Sequence, residues 1–392
     1  MSARTFGAGL ISAAAITLSL SFPAAAEVDA KAVIDAVTAQ LDRQNFKLTV
    51  GSATADGDNV VVKDISVGFP DAEPFKLAEV VLEDVTAEDD GSFTIGTITA
   101  PATTIDKDGV KLEFGGASID GYTIPAVDET DPIALLGLYE SMSVDAIRVS
   151  NKGAEVFRMD GATATMSGYE EGKPLEFDAA VKGLWGDLSK IEDPKAQEAF
   201  TAFGYKEVTG SVSMKGSWNP SDGHMVVTEG LYNIDNVGKL NVLMDLSGYT
   251  PALIKGMQEM TKSMEGQDES AKGLAMLGLL QQLNFVSMSI RFDDASITGK
   301  ALDYAAKQAG QDRAAIINQT KGVLPFALAQ LKDPDFAQKV TEAASAYLDN
   351  PKSLEIRAAP SAPVPFAVLA ATGSTAPEAL IKQLNVTVTA NQ

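Results

Sequence analysis

Between residues 28 and 44 the apolar positions Val33, Val37 and Leu41 recur every four residues, with Ile34 beside them and charges at Asp29, Lys31 and Asp42. A helix with 3.6 residues per turn gathers such positions into one stripe. The pattern therefore predicts an N-terminal amphipathic helix that must pack on something. From about residue 46 to 125 the period changes. Short runs of β-branched and aromatic residues are separated by Asp56-Gly57-Asp58-Asn59, Asp89-Asp90-Gly91 and Asp108-Gly109. These dipeptides tolerate the positive φ angles of tight hairpins, so the segment reads as a meander of antiparallel strands.

Alternation is cleaner further on. Val212, Met214, Gly216 and Trp218 interleave with Ser211, Ser213, Lys215 and Ser217. Leu240, Val242, Met244 and Leu246 stand against Asn241, Asp245 and Ser247, and Val286, Met288, Ile290 and Phe292 against Ser287, Ser289, Arg291 and Asp293. A period of two means one wet and one buried face, which suits antiparallel sheets and not a doubly wound parallel core. Two helical insertions interrupt the strands. The first, about 250–283, is expected to hold two helices around a polar loop at 263–269. The second, about 302–347, is expected to break near Gly310, at Pro325 and at Asp333-Pro334 into three. Pro360, Pro363 and Pro365 favour extended backbone without ladder bonds. A short helix near Pro377–Gln383 follows, and Leu384 to Thr389 reads as a closing strand paired inside the sheet.

The expected fold is α+β: a large, mostly antiparallel, curved β-sheet with an N-terminal helix and a C-terminal-half helical group packed on it. Residues 27–249 form the helix and meander, and 250–392 the helical part with returning strands. The alternative is one continuous domain.

The ends and the composition add an address. Arg4 precedes an uncharged run from Phe6 to Phe22, and Pro23-Ala24-Ala25-Ala26 precedes Glu27. This is the order of a secretory signal peptide, with cleavage expected after Ala26 and a periplasmic destination. No other stretch approaches the ~18 apolar residues of a membrane-spanning helix, so no transmembrane span is expected in the mature chain. The chain carries 53 acidic against 31 basic side chains, a net charge of −22, and loss of Arg4 with the leader makes it one unit more negative. Nucleic acid is thus a poor partner, and so is a bare anionic lipid surface. Absence of cysteine removes thiol chemistry and cysteine-based metal sites, and leaves stability to packing and the sheet ladder.

The strands share a loose plan of alternating residues, a glycine and a polar turn, as in Leu175–Gly183, Val208–Gly216 and Leu240–Gly248. In this the chain resembles the β-rich periplasmic proteins of the AsmA-like and YdgA-like kind, over roughly residues 46 to 300. The resemblance implies a long curved sheet, a role in the cell envelope and lipid handling. The chain departs from the large members in being much shorter and in lacking a membrane anchor after cleavage, which removes the ground for a bridge between membranes. It carries over no site residues.

Candidate chemistry is sparse. The single histidine, His224, falls in the turn Ser221-Asp222-Gly223-His224, where an exposed, inert role is the commoner one. One histidine without cysteine disfavours zinc. Nucleophile elbows, phosphate loops and dinucleotide fingerprints are missing from the mature sequence, and Gly299-Lys300 is followed by Ala301. Acidic clusters at Asp56-Asp58, Glu88-Asp89-Asp90 and Asp128-Glu129-Asp131 fall in expected turns without calcium-loop spacing, and Asp293-Asp294 follows a strand. No cofactor is expected. Met257, Met260 and Met264 share one helical face and form the candidate ligand-binding surface for a lipid tail, with ordinary core packing the plainer account. The leading expectation is a non-catalytic periplasmic envelope protein that binds a lipid or other apolar ligand between sheet and helices. The rivals are a carboxylate-based hydrolase of envelope polysaccharide, with two acids roughly 5–10 Å apart, and a scaffold that offers a strand edge to an envelope protein partner.

Overall fold

A computed structural model describes residues 28–68, 74–191, 193–263 and 269–392. The expected signal peptide, residues 1–26, lies outside them. The first element is the expected helix, α1 (Ala30–Arg43), and Asp29 caps it by accepting from the backbone N–H groups of Lys31 and Ala32.

The 20 strands of the described residues join in one sheet. β1 (Lys47–Thr49) and β2 (Ser52–Asp56) both pair with β3 (Asn59–Gly68), and β3 pairs with β4 (Phe75–Ala87). β5 (Phe93–Ala100) and β6 (Thr103–Lys107) form one arm. It meets β7 (Val110–Phe114) and β8 (Ala117–Ile124) in an unchanged register, from Phe93 opposite Ile124 to Lys107 opposite Val110. The next arms are β9 (Ser141–Val144) with β10 (Ile147–Asn151), then β11 (Ala154–Met159) with β12 (Gly161–Met166), then β13 (Leu175–Asp187). β14 (Glu207–Asn219), β15 (His224–Ile234), β16 (Gly238–Ser247) and β17 (Asn284–Asp294) continue the series. β18 (Ser353–Ala358) and the short β19 (Val364–Pro365) both pair with β17, and β20 (Thr387–Ala390) pairs with β18. Every pairing is antiparallel and joins arms that follow one another in sequence. The whole is an open meander, with helices at one end and in the later connections.

Strict alternation breaks along two lines that cross the strands. On the first line Asp84, Gly96 and Gly121 are neighbours at a position the ladder skips, with Asp84 at φ 54° and Gly121 at φ 64°. Asp64 does the same in β3 at φ 54°. A left-handed residue inside a strand rotates the chain by one position, as a bulge does. Residues three apart therefore share the buried face: Val62 with Ile65, Leu82 with Val85, and Ile95 with Ile98. The second line runs through Pro101-Ala102, Gly115-Gly116, Asp145-Ala146, Asp160 and Gly183, again without loss of register. An aspartate on one strand recurrently faces a glycine on the next: Asp64 and Gly51, Asp84 and Gly96, Asp145 and Gly115, Asp160 and Gly183. A side chain on any of these glycines would begin 2.7 to 2.9 Å from the aspartate Cβ.

The largest buried cluster lies between α1 and strands β3, β4, β5 and β8, and includes Val33, Ala36, Val60, Leu82, Ile95 and Ile124. Between β16 and β17 the chain makes α3 (Pro251–Ser263) and α4 (Glu269–Leu280), following α2 (Pro194–Ala202) between β13 and β14. The alternation did not reveal α2, although its signal is local: Asp193 caps the N–H groups of Lys195 and Ala196, and proline takes the first helical position. Since β16 and β17 are direct neighbours, the sheet passes unbroken through residue 250 and α3–α4 are an insertion in it.

The second insertion begins earlier than expected, as α5 (Ile297–Ala309), α6 (Arg313–Leu328) and α7 (Pro334–Asp349). Pro325 does not break the chain as expected. It sits in the last turn of α6, where its missing N–H costs one bond to the turn before but only three more helical residues have to follow, and a 3-10 turn over Ala329–Leu331 comes next. Ala343 and Tyr347 of α7 are buried, and the Tyr347 hydroxyl lies 2.6 Å from Thr298 Oγ1. The proline-rich stretch does make ladder contacts, Val364 and Pro365 opposite Phe285 and Asn284, before α8 (Phe366–Thr375) and α9 (Ala379–Gln383). The closing strand β20 pairs on one side only among the described residues, so it forms an edge and not an interior strand.

Candidate functional site

Two stripes of α1 face the sheet. Val33, Ala36 and Gln40 are buried against it, while Ile34, Val37, Leu41 and Gln44 roof a cavity of about 230 Å³. The floor is built from cross-strand neighbours: Val62 opposite Val80, and Leu82 opposite Ile98, itself opposite Ile119. Of the lining side chains, only Gln40, Gln44 and Tyr122 carry polar atoms.

One end of this cavity is polar and tied down. Gln40 is 2% exposed; its Nε2 donates to the Leu135 carbonyl at 2.9 Å and its Oε1 accepts from Arg43 Nη1 at 3.2 Å. Arg43 Nη2 donates to the carbonyls of Ala126 at 3.1 Å and Val127 at 2.6 Å. These bonds strap the 126–136 loop to the end of the helix. Gly137, at φ 65°, lies where a Cβ would come 2.8 Å from the Tyr122 hydroxyl, so the chain passes directly over that ring. Burial pushes the Tyr122 phenol above its ordinary range, because the anion would be left in apolar surroundings.

The cavity opens a longer feature. Leu82, Ile98, Ile119, Met142, Ala164, Ala179 and Met214 stand directly opposite one another on successive arms. Beside them runs a second row, Ala100, Ala117, Val144, Ala162, Val181, Val212 and Tyr232. Past α1 these rows are not buried as one-faced alternation predicts: Val144, Ala162 and Val181 are partly exposed, Met214 is 36% and Tyr232 42% exposed. The other face is polar and internally bonded, as in Thr97 to Asp120, Ser118 to Ser143, Ser213 to Glu229, and Lys215 with Asp178. A burial-enforced face thus carries on as an accessible apolar strip.

Met257 and Met260 lie on α3; Met257 is 37% exposed, Met260 is partly exposed, and neither lines this cavity. Met264 lies outside the described residues. His224 Nε2 is 2.8 Å from Asp245 Oδ1 on the neighbouring strand. The acidic pair is divided between structural partners: Asp293 binds Arg291, and Asp294 accepts from the Thr298 N–H at the start of α5. Asp90 is held below the usual carboxylate range by hydrogen bonds from Ser92 across its own turn. Among the described residues, no group of three or more histidine, aspartate or glutamate side chains is placed to hold a metal ion. No helix among them is long and apolar enough to cross a membrane.

The α1 side of the cavity was legible, because Ile34, Val37 and Leu41 carry the helical period. The sheet side was not, since the left-handed residues shift its parity. Residues 231–391 match the model of a family described only as an uncharacterized protein. A search of curated proteins finds no match.

Proposed function

We propose that this protein is a non-catalytic component of the bacterial cell envelope, exported to the periplasm, that holds an apolar ligand such as a lipid chain against its sheet. The observation that supports this is the continuity of the apolar rows, from the cavity under α1 to an accessible strip across the central arms. An extended hydrocarbon chain matches such a path: its tail fills the cavity and the rest lies along the strip, removing apolar area from water on both sides. The polar end, with Gln44 and Tyr122, suits a ligand whose tip carries hydrogen-bonding atoms. The resemblance to AsmA-like and YdgA-like proteins agrees with this reading.

The test is native mass spectrometry with solvent extraction on protein purified without detergent from the periplasm of its own host. A stoichiometric lipid adduct is expected, and Ile119→Trp, which fills the cavity, should lose it while keeping its far-ultraviolet circular dichroism. A clean apo mass that persists after exposure to host-lipid vesicles would overturn the proposal.

A further inference from the structure

A second concavity, of about 360 Å³ and unlike the first in chemistry, lies on the polar face at the second line of broken alternation. Its base is one cross-strand row, Arg158 opposite Trp185 and Trp185 opposite Thr209, extended by Asp235, whose N–H donates to the Thr209 carbonyl. Beside it Ser211 is opposite Asn233. Gly183, at φ 63°, leaves the space into which the Asp160 side chain leans.

Arg158, Trp185 and Asp235 are held in place by their neighbours. The Arg158 guanidinium stacks 4.7 Å from the centre of the Trp185 ring, and the indole N–H donates to Glu207 Oε2 at 2.8 Å. The row order puts Arg158 on one side of Trp185 and the Thr209 strand on the other, and the indole lines the trough between them. The Asp235 carboxylate accepts from Thr209 Oγ1 and from Asn233 Nδ2, both at 2.8 Å, which fixes it without neutralising it. Asp160 is exposed and its carboxylate has no hydrogen-bond or ion-pair partner among the described residues.

We propose that this trough binds a neutral or amino-bearing saccharide. A sugar ring has one apolar C–H face and a rim of hydroxyls, which an aromatic side chain and carboxylate acceptors match. The Asp160 and Asp235 carboxylates accept from hydroxyl or ammonium groups, and charge-assisted bonds of this kind are the stronger ones. The one guanidinium in the trough, Arg158, is already paired with Glu155 at 3.1 Å, so the two carboxylates beside Glu207 leave a negative site that repels uronic acids and phosphorylated sugars. A glycan site on the polar face leaves the apolar face free, so the protein can hold a lipid on one side and lie against an envelope polysaccharide on the other.

The test is calorimetric titration of the full chain with glucosamine, N-acetylglucosamine and galacturonate tetramers, with Trp185 emission followed in parallel. Binding of either of the first two is expected, with a change in emission, and none of the galacturonate tetramer. Asp160→Ala, a change at an exposed and unpartnered side chain, should weaken binding by about tenfold, the scale of one lost charge-assisted bond. Trp185→Ala should weaken it at least as much, while the cavity variant Ile119→Trp should leave it unchanged. Absence of binding to both uncharged and amino tetramers, equal binding of galacturonate, or affinities unaltered by Asp160→Ala would overturn the proposal.

Discussion

The facing of Gly96 and Asp84 makes a sharp prediction about what allows strict alternation to break along the first line. A Cβ on Gly96 would lie 2.9 Å from Asp84 Cβ, 3.2 Å from its Oδ2 and 3.4 Å from the Glu83 carbonyl oxygen. Carbon atoms rest at about 3.5–4.0 Å. Gly96→Ala should therefore destabilise by about 1–3 kcal/mol as overpacking does, less the ~0.4–1 kcal/mol that alanine contributes by restricting the unfolded chain. Asp84→Gly removes the contact and also the left-handed strain at φ 54°, a relief of about 1 kcal/mol that the greater freedom of unfolded glycine roughly offsets. In the Asp84→Gly background Gly96→Ala should then be neutral or slightly stabilising, a coupling of about 2 kcal/mol. Urea unfolding of the four proteins, followed by far-ultraviolet circular dichroism, measures it through midpoints at unchanged slope. If Gly96→Ala lowers the midpoint equally in both backgrounds, or in neither, the aspartate–glycine pair is not what shapes this line.

Other outcomes follow from the strapped end of the cavity and from the helix caps. Gln40→Leu leaves the Leu135 carbonyl without its donor, and should destabilise by about 1–3 kcal/mol, with faster hydrogen exchange in the 126–136 loop by mass spectrometry. The raised phenol of Tyr122 means that the unfolded chain ionises first as pH rises. Its contribution is complete below the ordinary phenol value of 10.0 and is lost above it, until the folded pKa is passed. Tyr122→Phe should accordingly flatten part of the alkaline fall in stability, seen as a smaller drop in thermal midpoint above that pH; an identical drop in both proteins would refute it. Asp193→Ala removes the cap of α2 and should cost about 1 kcal/mol, with amide exchange rising in Pro194–Ala202 while β13 and β14 are unchanged.

What the sequence determined by itself is the part governed by local physics. Helical spacing at Val33, Val37 and Leu41 specifies α1, and Asp-Gly turns with period-two runs specify an antiparallel sheet in sequential order. Gly310 and Asp333-Pro334 mark helix ends because a left-handed cap and a first-turn proline are local requirements. Other features depended on neighbours distant along the chain. Asp84 looks like any polar strand residue until Gly96 on the next arm makes room for it, and only then does Leu82 share a face with Val85. In β17 a bulge moves the buried place from the expected Val286 to Phe285, which packs opposite Leu246. The methionines of α3 were conspicuous by type, yet the cavity formed where α1 met five strands, since burial is decided by what lies across the sheet. The trough of Arg158, Trp185, Thr209 and Asp235 draws on four arms and had no local signature, because it exists only once register sets those side chains in adjacent rows.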